Sequence, residues 1–134
     1  MRAPVLEPGQ LDTVWFQLGG TLCNLECTHC FISCSPKNHS MKLMSLAEME
    51  PFLQEAERLG VREYYLTGGE TFIVKELEDI VERILRQGPV SILTNGTLIT
   101  EPRAARFAEI SRGTPYSLEF RVSIDGFNAA ENDA

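Results

Sequence analysis

The chain has no cysteine outside residues 23–34, so no disulfide can staple distant parts of the fold. It has no excess of positive charge: 19 acidic residues face 12 Lys and Arg, for a formal net charge of −7. That balance argues against broad, non-specific nucleic-acid binding, which needs a positive face. No apolar run approaches the ~18 residues of a membrane span, and no charged-then-apolar leader opens the sequence. The expectation is a soluble, cytoplasmic protein with neither a nucleic-acid nor a membrane partner. In that compartment clustered cysteines bind metal or do redox chemistry more often than they form structural disulfides. Hydrophobic residues make up 43% and charged residues 23% of the 134, close to globular averages. Wholesale disorder is therefore not expected, and one compact domain is.

What is present is concentrated. Cys23, Cys27 and Cys30 fall at spacing C-x3-C-x2-C, and Cys34 follows after three more residues. Three thiolates in so short a stretch can converge on one metal centre. Zinc is the first competitor, but structural zinc usually takes four ligands from paired knuckles far apart in sequence. Here all four cysteines share one loop, which suits a metal cluster better. Thiolate-only ligation favours iron–sulfur or zinc over harder ions. Three close cysteines and an outlier suggest a [4Fe–4S] cluster with one iron open to a small ligand. The bland alternative is a disulfide or a chance arrangement. The three-cysteine pattern does not need Cys34, which reads as a spectator thiol packed like a small hydrophobe. A ligand to something else and a substrate-side residue are the other readings of it.

The elements around this loop alternate. Residues 1–11 carry prolines and a glycine and predict an irregular lead-in, with the domain proper over 12–134. Thr13 to Leu18 is β-branched and aromatic and predicts a first strand, broken by Gly19-Gly20. Ser45 to Glu48 is a capping-box signature opening a helix, with Leu46, Met49, Leu53, Ala56 and Leu59 as its buried stripe and Gly60 as its stop. Pro51 inside that helix should bend it. A second strand is expected over Val61 to Leu66, a second helix over Lys75 to Gln87 and a third strand over Val90 to Leu93. Thr100 is expected to cap a third helix running to Arg112, and Leu118 to Ile124 to form a fourth strand. Strands alternating with helices at this spacing imply βαβ units and a parallel sheet with right-handed crossovers. The fold class is therefore α/β: parallel βα repeats forming about the first four strands of a partial (β/α)6 TIM-like barrel.

Each strand ends in a polar or glycine-rich cluster. The cysteine loop follows the first, Thr67-Gly68-Gly69-Glu70 the second, Thr94-Asn95-Gly96 the third and Ser123-Ile124-Asp125-Gly126 the fourth. Taken singly, Gly68-Gly69, Asn95-Gly96 and Asp125-Gly126 are ordinary turn signals, and Glu70 an ordinary solvated carboxylate. Parallel α/β folds, however, bind ligands at the carboxyl ends of their strands. Four clusters at four such ends point to one shared site.

With these residues in place the chain resembles the radical S-adenosylmethionine superfamily over about residues 12 to 128. The resemblance implies that Cys23, Cys27 and Cys30 each ligate one iron of a [4Fe–4S] cluster, the fourth iron being chelated by S-adenosylmethionine. It implies that Gly68, Gly69 and Glu70 hold the methionyl amino group, with Glu70 accepting from the ammonium. Thr71 stands where the family usually has proline. His29, the flat-ringed residue before the last cysteine, would lie near the adenine. Asn95, Ser123 and Asp125 would make polar contacts to ribose or carboxylate. The implied activity is reductive cleavage of S-adenosylmethionine to a 5′-deoxyadenosyl radical that takes hydrogen from a substrate, with electrons from a reductase, ferredoxin or flavodoxin-type donor. The substrate is unknown. The motifs look most like the group that modifies peptides and builds cofactors, often with further clusters in a C-terminal extension. Two alternatives stand beside this: a non-catalytic cluster-binding half-barrel that needs a partner chain, and a zinc-binding domain. A sheet ending at its fourth strand is expected to self-associate through its open edge.

Overall fold

The computed structural model describes residues 9–132, so most of the expected lead-in lies outside the described residues. Four strands, β1 (Thr13–Phe16), β2 (Glu63–Leu66), β3 (Val90–Thr94) and β4 (Leu118–Val122), form one sheet in the order β1-β2-β3-β4, every pair parallel. Helices α1 (Leu46–Arg58), α2 (Leu77–Ile84) and α3 (Glu101–Arg112) carry the three crossovers, and a short α4 (Ala129–Asn132) follows β4. The order never reverses. A doubly wound sheet changes direction at a switch point, whereas consecutive parallel neighbours are the arrangement of a barrel wall.

The period-2 alternation of the strands sorts the two faces. Phe16, Tyr64, Leu66, Val90 and Ile92 turn one way and meet Met49, Leu53, Leu77, Ile80, Ile84, Phe107 and Ile110 of the helices in a single core. Burying each such side chain contributes about 1.5–3 kcal/mol. The opposite face carries a different row. Trp15, Tyr65, Ser91 and Glu119 are successive register partners across the sheet, and the Trp15 and Tyr65 rings stack at 4.3 Å. Two partly buried ion pairs brace the helical layer, Arg83 with Glu50 at 2.9 Å and Arg103 with Glu78 at 2.6 Å. Arg103 also donates to the Phe72 carbonyl at 2.6 Å and lies over the Phe72 ring.

Several expectations are met with adjusted edges. The Ser45 capping box is present in both directions, and α1 runs on through Pro51, which lies on its exposed side. Leu59 leaves the predicted stripe: it is the C-cap and is 44% exposed, because the chain turns off the helix axis there. Thr100 stands at the N-cap of α3 without a side-chain capping bond. The helix expected from Lys75 begins at Leu77, and one turn of 3-10 helix, Thr71–Ile73, comes before it. That turn was not legible as a helix in the sequence. Its cap is Glu70, whose carboxylate accepts from the Phe72 N–H.

Candidate functional site

The cysteine loop leaves the end of β1 and is seated on the end of β2 by backbone bonds. Gly19 N–H donates to Thr67 O at 3.0 Å, Gly69 N–H to Gly20 O at 2.9 Å and Glu70 N–H to Leu22 O at 2.9 Å. This contact is what requires the glycine pair. A Cβ on Gly69 would lie 1.9 Å from Leu22 O, and Gly68, at φ 125°, would place one 2.7 Å from Gly19 N. The loop closes on itself at its base, where Cys23 N–H donates to Ser35 O at 3.2 Å and Ser35 N–H to Thr21 O at 3.3 Å. Between these anchors the chain makes a turn in which Cys30 N–H reaches Cys27 O at 3.2 Å.

All four cysteines are free: Cys23 and Cys34 are buried, Cys30 is half-buried and Cys27 is exposed. They lie near enough for each to feel its neighbours' charge. Desolvation raises the Cys27 thiol above its ordinary value, and the charges of Cys23, Cys30 and Asp125 push it further the same way. Burial would also raise Cys30. Hydrogen bonds from the backbone of Cys34, Ile32 and Ser33 and from the Cys34 side chain outweigh it and leave Cys30 below the ordinary thiol value. Cys34 is pushed up to about 11, first by burial and then by the neighbouring sulfurs. The loop thus shifts Cys30 and Cys34 in opposite directions.

The ends of β2 and β3 are joined through Glu70. Its side chain is 0% exposed, and both oxygens are engaged. Oε1 accepts from Phe72 N–H at 2.9 Å and from the Thr94 hydroxyl at 2.7 Å, and Oε2 from Asn95 N–H at 2.8 Å. Three donors from the protein itself therefore hold the carboxylate in place. A buried carboxylate is stable only when hydrogen-bonded, and this one finds its donors inside the protein. The carbonyls of Gly68 and Gly69 accept no hydrogen bond from any described residue.

Asn95, placed by Glu70, reaches back to the loop. Its side-chain amide donates to Asn24 Oδ1 at 2.9 Å and lies 3.8 Å from Cys23 Sγ. Thr97 closes the group, giving its hydroxyl to Asn95 Oδ1 at 2.7 Å while Asn24 Nδ2 donates to Thr97 Oγ1 at 2.8 Å. Sequence reasoning missed Asn24, Thr94 and Thr97. Their only signal was proximity to Cys23 and to Asn95-Gly96. From the end of β4, Asp125 Oδ2 meets His29 Nε2 at 3.4 Å, both partly exposed. Ser123 is exposed, and its N–H donates to Thr94 O at 3.0 Å. The structure thus brings Cys23, Cys27, Cys30, His29, Gly68, Gly69, Asn95 and Asp125 to one end of the sheet. Glu70 sits beneath them as a tie.

A parallel βα wall whose strand ends surround a loop of three free thiols defines a class: metal-cluster proteins of the barrel type. Within that class the assignment is direct. The model of the Radical SAM superfamily matches residues 19–129, and the chain belongs to that superfamily. Its members bind a [4Fe–4S] cluster and S-adenosylmethionine. The chain is similar to the GTP 3′,8-cyclase of Aquifex aeolicus, 31% identical over 116 residues that cover 82% of this chain and 34% of that protein. It is 38% identical over 85 residues to a probable GTP 3′,8-cyclase of Methanothermobacter thermautotrophicus, covering 62% of this chain and 27% of the relative. The chain therefore spans about a third or less of these curated relatives. The fold is also that of SuiB from Streptococcus suis, with TM-score 0.66, 21% identity and 92% of this chain covered against 26% of that one. BtrN, solved in complex with AdoMet and 2-DOIA, aligns with TM-score 0.66 at 18% identity, over 95% of this chain and 56% of BtrN. Among the described residues no helix is long and apolar enough to cross a membrane.

Proposed function

We propose that this chain is the cluster-binding part of a radical S-adenosylmethionine enzyme, with Cys23, Cys27 and Cys30 as the three protein ligands of a [4Fe–4S] cluster. The observation that carries this is a loop of free cysteines seated by backbone bonds on the end of β2, beside Gly68 and Gly69 carbonyls that accept no hydrogen bond among the described residues. Cys23, Cys27 and Cys30 would hold the cluster, which when bound would supply one-electron chemistry for the reductive cleavage of S-adenosylmethionine.

This chain's own residues position and enclose. The Gly68 and Gly69 carbonyls are free to accept from an ammonium, and the glycines let the loop pack against them with no side chain between. Glu70 holds the β2 and β3 ends together and so fixes where Asn95 presents its amide. Asn95 and Asn24 orient Cys23. His29, paired with Asp125, holds its ring at the outer side of the loop, where a flat adenine could stack. Ser123 offers an exposed hydroxyl at the fourth strand end. Electrons come from a reductase, ferredoxin or flavodoxin-type donor.

The zinc reading is less well supported. Structural zinc usually takes four ligands from paired knuckles far apart in sequence, whereas the four cysteines here share one loop. A zinc ion would draw its thiolates to about 2.3 Å from one point, whereas in a cluster each thiolate takes its own iron. The half-barrel reading differs from the enzyme in its product. The test is anaerobic reconstitution with iron and sulfide, reduction with dithionite in the presence of S-adenosylmethionine, and chromatography for 5′-deoxyadenosine. Its formation supports the enzyme; a cluster without it supports the non-catalytic half-barrel. GTP is the first substrate to try, because the curated relatives are named GTP 3′,8-cyclases.

A further inference from the structure

The cysteine loop has an exposed side besides the one that meets the strand ends. Phe31 follows Cys30 directly, and it is 95% exposed. A phenyl ring left in water adds nothing to the core, and covering it with another molecule is favourable. The charge of this stretch also differs from that of the chain. The formal net charge is −7, yet between Glu26 and Glu48 there is no acidic residue and there are two lysines, Lys37 and Lys42. Both are exposed. Lys37 makes no ion pair among the described residues, and Lys42 meets only Glu48, at 3.9 Å, with its side chain 90% exposed. These residues share one folded segment. Ser33 N–H donates to Cys30 O at 3.0 Å around Phe31, and the Asn38 amide donates to Ser33 O at 2.8 Å, which ties the turn bearing Lys37 to the turn bearing Phe31. Thr21 N–H donates to Met41 O at 3.1 Å and holds the Lys42 end to the base of the loop.

We propose that the exposed side of the cysteine loop, carrying Phe31, Lys37 and Lys42, is the docking surface for the electron donor, a small one-electron carrier protein of acidic surface. The inference rests on the reading of this loop as the seat of a [4Fe–4S] cluster. The donor has to reach the loop from outside the strand-end site, and a protein docked on Phe31 stands one residue from Cys30. Lysines beside an apolar anchor draw in an acidic partner, while the negative charge of the rest of the chain repels it, so the same charges set both encounter and orientation. In the transfer one electron leaves the carrier, which is oxidised, and enters the cluster, which is reduced; no bond forms or breaks.

The test compares wild type, Phe31→Ala and the double variant Lys37→Glu/Lys42→Gln. Each is titrated calorimetrically with a flavodoxin of net negative charge, as the metal-free and as the reconstituted chain, at low and high salt. The rate of cluster reduction is then measured with photoreduced flavodoxin and with dithionite. Wild type is expected to bind flavodoxin, and more weakly as salt rises. Each variant should bind about tenfold or more weakly, and the double variant should lose most of the salt dependence. Both should accept electrons about tenfold more slowly from flavodoxin below saturation, yet at the wild-type rate from dithionite. Wild-type affinity in either variant overturns the proposal, and so does a reconstituted wild type that binds no flavodoxin. Equal slowing with dithionite also overturns it, because the substitutions would then act on the loop itself. Self-association of wild type that the same substitutions abolish would give the surface to a second copy and overturn it too. Failure of wild type to take up iron would instead sink the cluster reading, and the titration of the metal-free chain would still decide the docking surface.

Discussion

Replacing Glu70 by Gln separates a structural tie from a ligand contact. The native carboxylate accepts three hydrogen bonds, at 2.9 Å from Phe72 N–H, 2.7 Å from Thr94 Oγ1 and 2.8 Å from Asn95 N–H. A glutamine has one carbonyl oxygen for two positions. With that oxygen in place of Oε1, the amide NH2 faces the Asn95 N–H, donor against donor. Flipped, it faces the Phe72 N–H and the Thr94 hydroxyl. The hydroxyl, which accepts from Gly96 N–H at 3.0 Å, then loses the acceptor of its own proton. One buried donor left without an acceptor costs about 1–3 kcal/mol, and the remaining bonds lose their charge assistance at about 1 kcal/mol each. Relief of the buried charge offsets part of this, leaving a loss of about 2–4 kcal/mol. Against a typical stability of about 5–15 kcal/mol that is a large fraction. In urea unfolding of the metal-free chain the midpoint should fall by about 1–2 M with an unchanged slope. A residue serving only a bound cofactor would be neutral or stabilising to remove from the metal-free protein. A Glu70→Gln midpoint within about 0.5 kcal/mol of wild type would refute the tie.

Three further outcomes follow from the same geometry. Gly69→Ala places a Cβ 1.9 Å from Leu22 O, so the loop must lift off the end of β2; iron uptake should fall sharply, and wild-type uptake would show that the contact is dispensable. Cys27→Ala should abolish the cluster while Cys34→Ala keeps its iron, and iron loss from both would show the ligand set to be wrong. Burial pushes the Glu78 carboxyl upward, but the Arg103 guanidinium outweighs it and holds the group below its ordinary value. A carboxyl depressed in the folded state stabilises above its unfolded value, about 4.3, and that contribution is lost as the pH falls through the folded value. Glu78→Gln should therefore flatten the acid limb of stability below about pH 5, and a denaturant midpoint that falls as steeply as wild type would contradict this.

Much of the fold was legible because its signals were local. The capping box at Ser45, the glycine stops and the alternating strands of Phe16, Tyr64 and Ile92 depend on neighbours in sequence, and they fell within a few residues of their predicted places. The cysteine loop was legible for the same reason. What failed was long-range. Glu70 reads as a solvated carboxylate only when taken alone, and its bonds to Thr94 and Asn95, more than twenty residues later, show only in the folded chain. Gly68 and Gly69 read as a turn until Gly19 and Leu22 are packed against them. The Asn24–Asn95–Thr97 group joins residues 71 and 73 positions apart, which no periodicity reveals.

The central claim is that three thiolates hold a cluster whose fourth iron is open to S-adenosylmethionine. Its most direct test is the paramagnetic resonance spectrum of the anaerobically reconstituted, dithionite-reduced chain, recorded before and after S-adenosylmethionine is added. The account predicts a reduced [4Fe–4S] signal that shifts on addition and is absent from Cys27→Ala. A signal that S-adenosylmethionine leaves unchanged, or a chain that takes up zinc and forms no cluster, would contradict it.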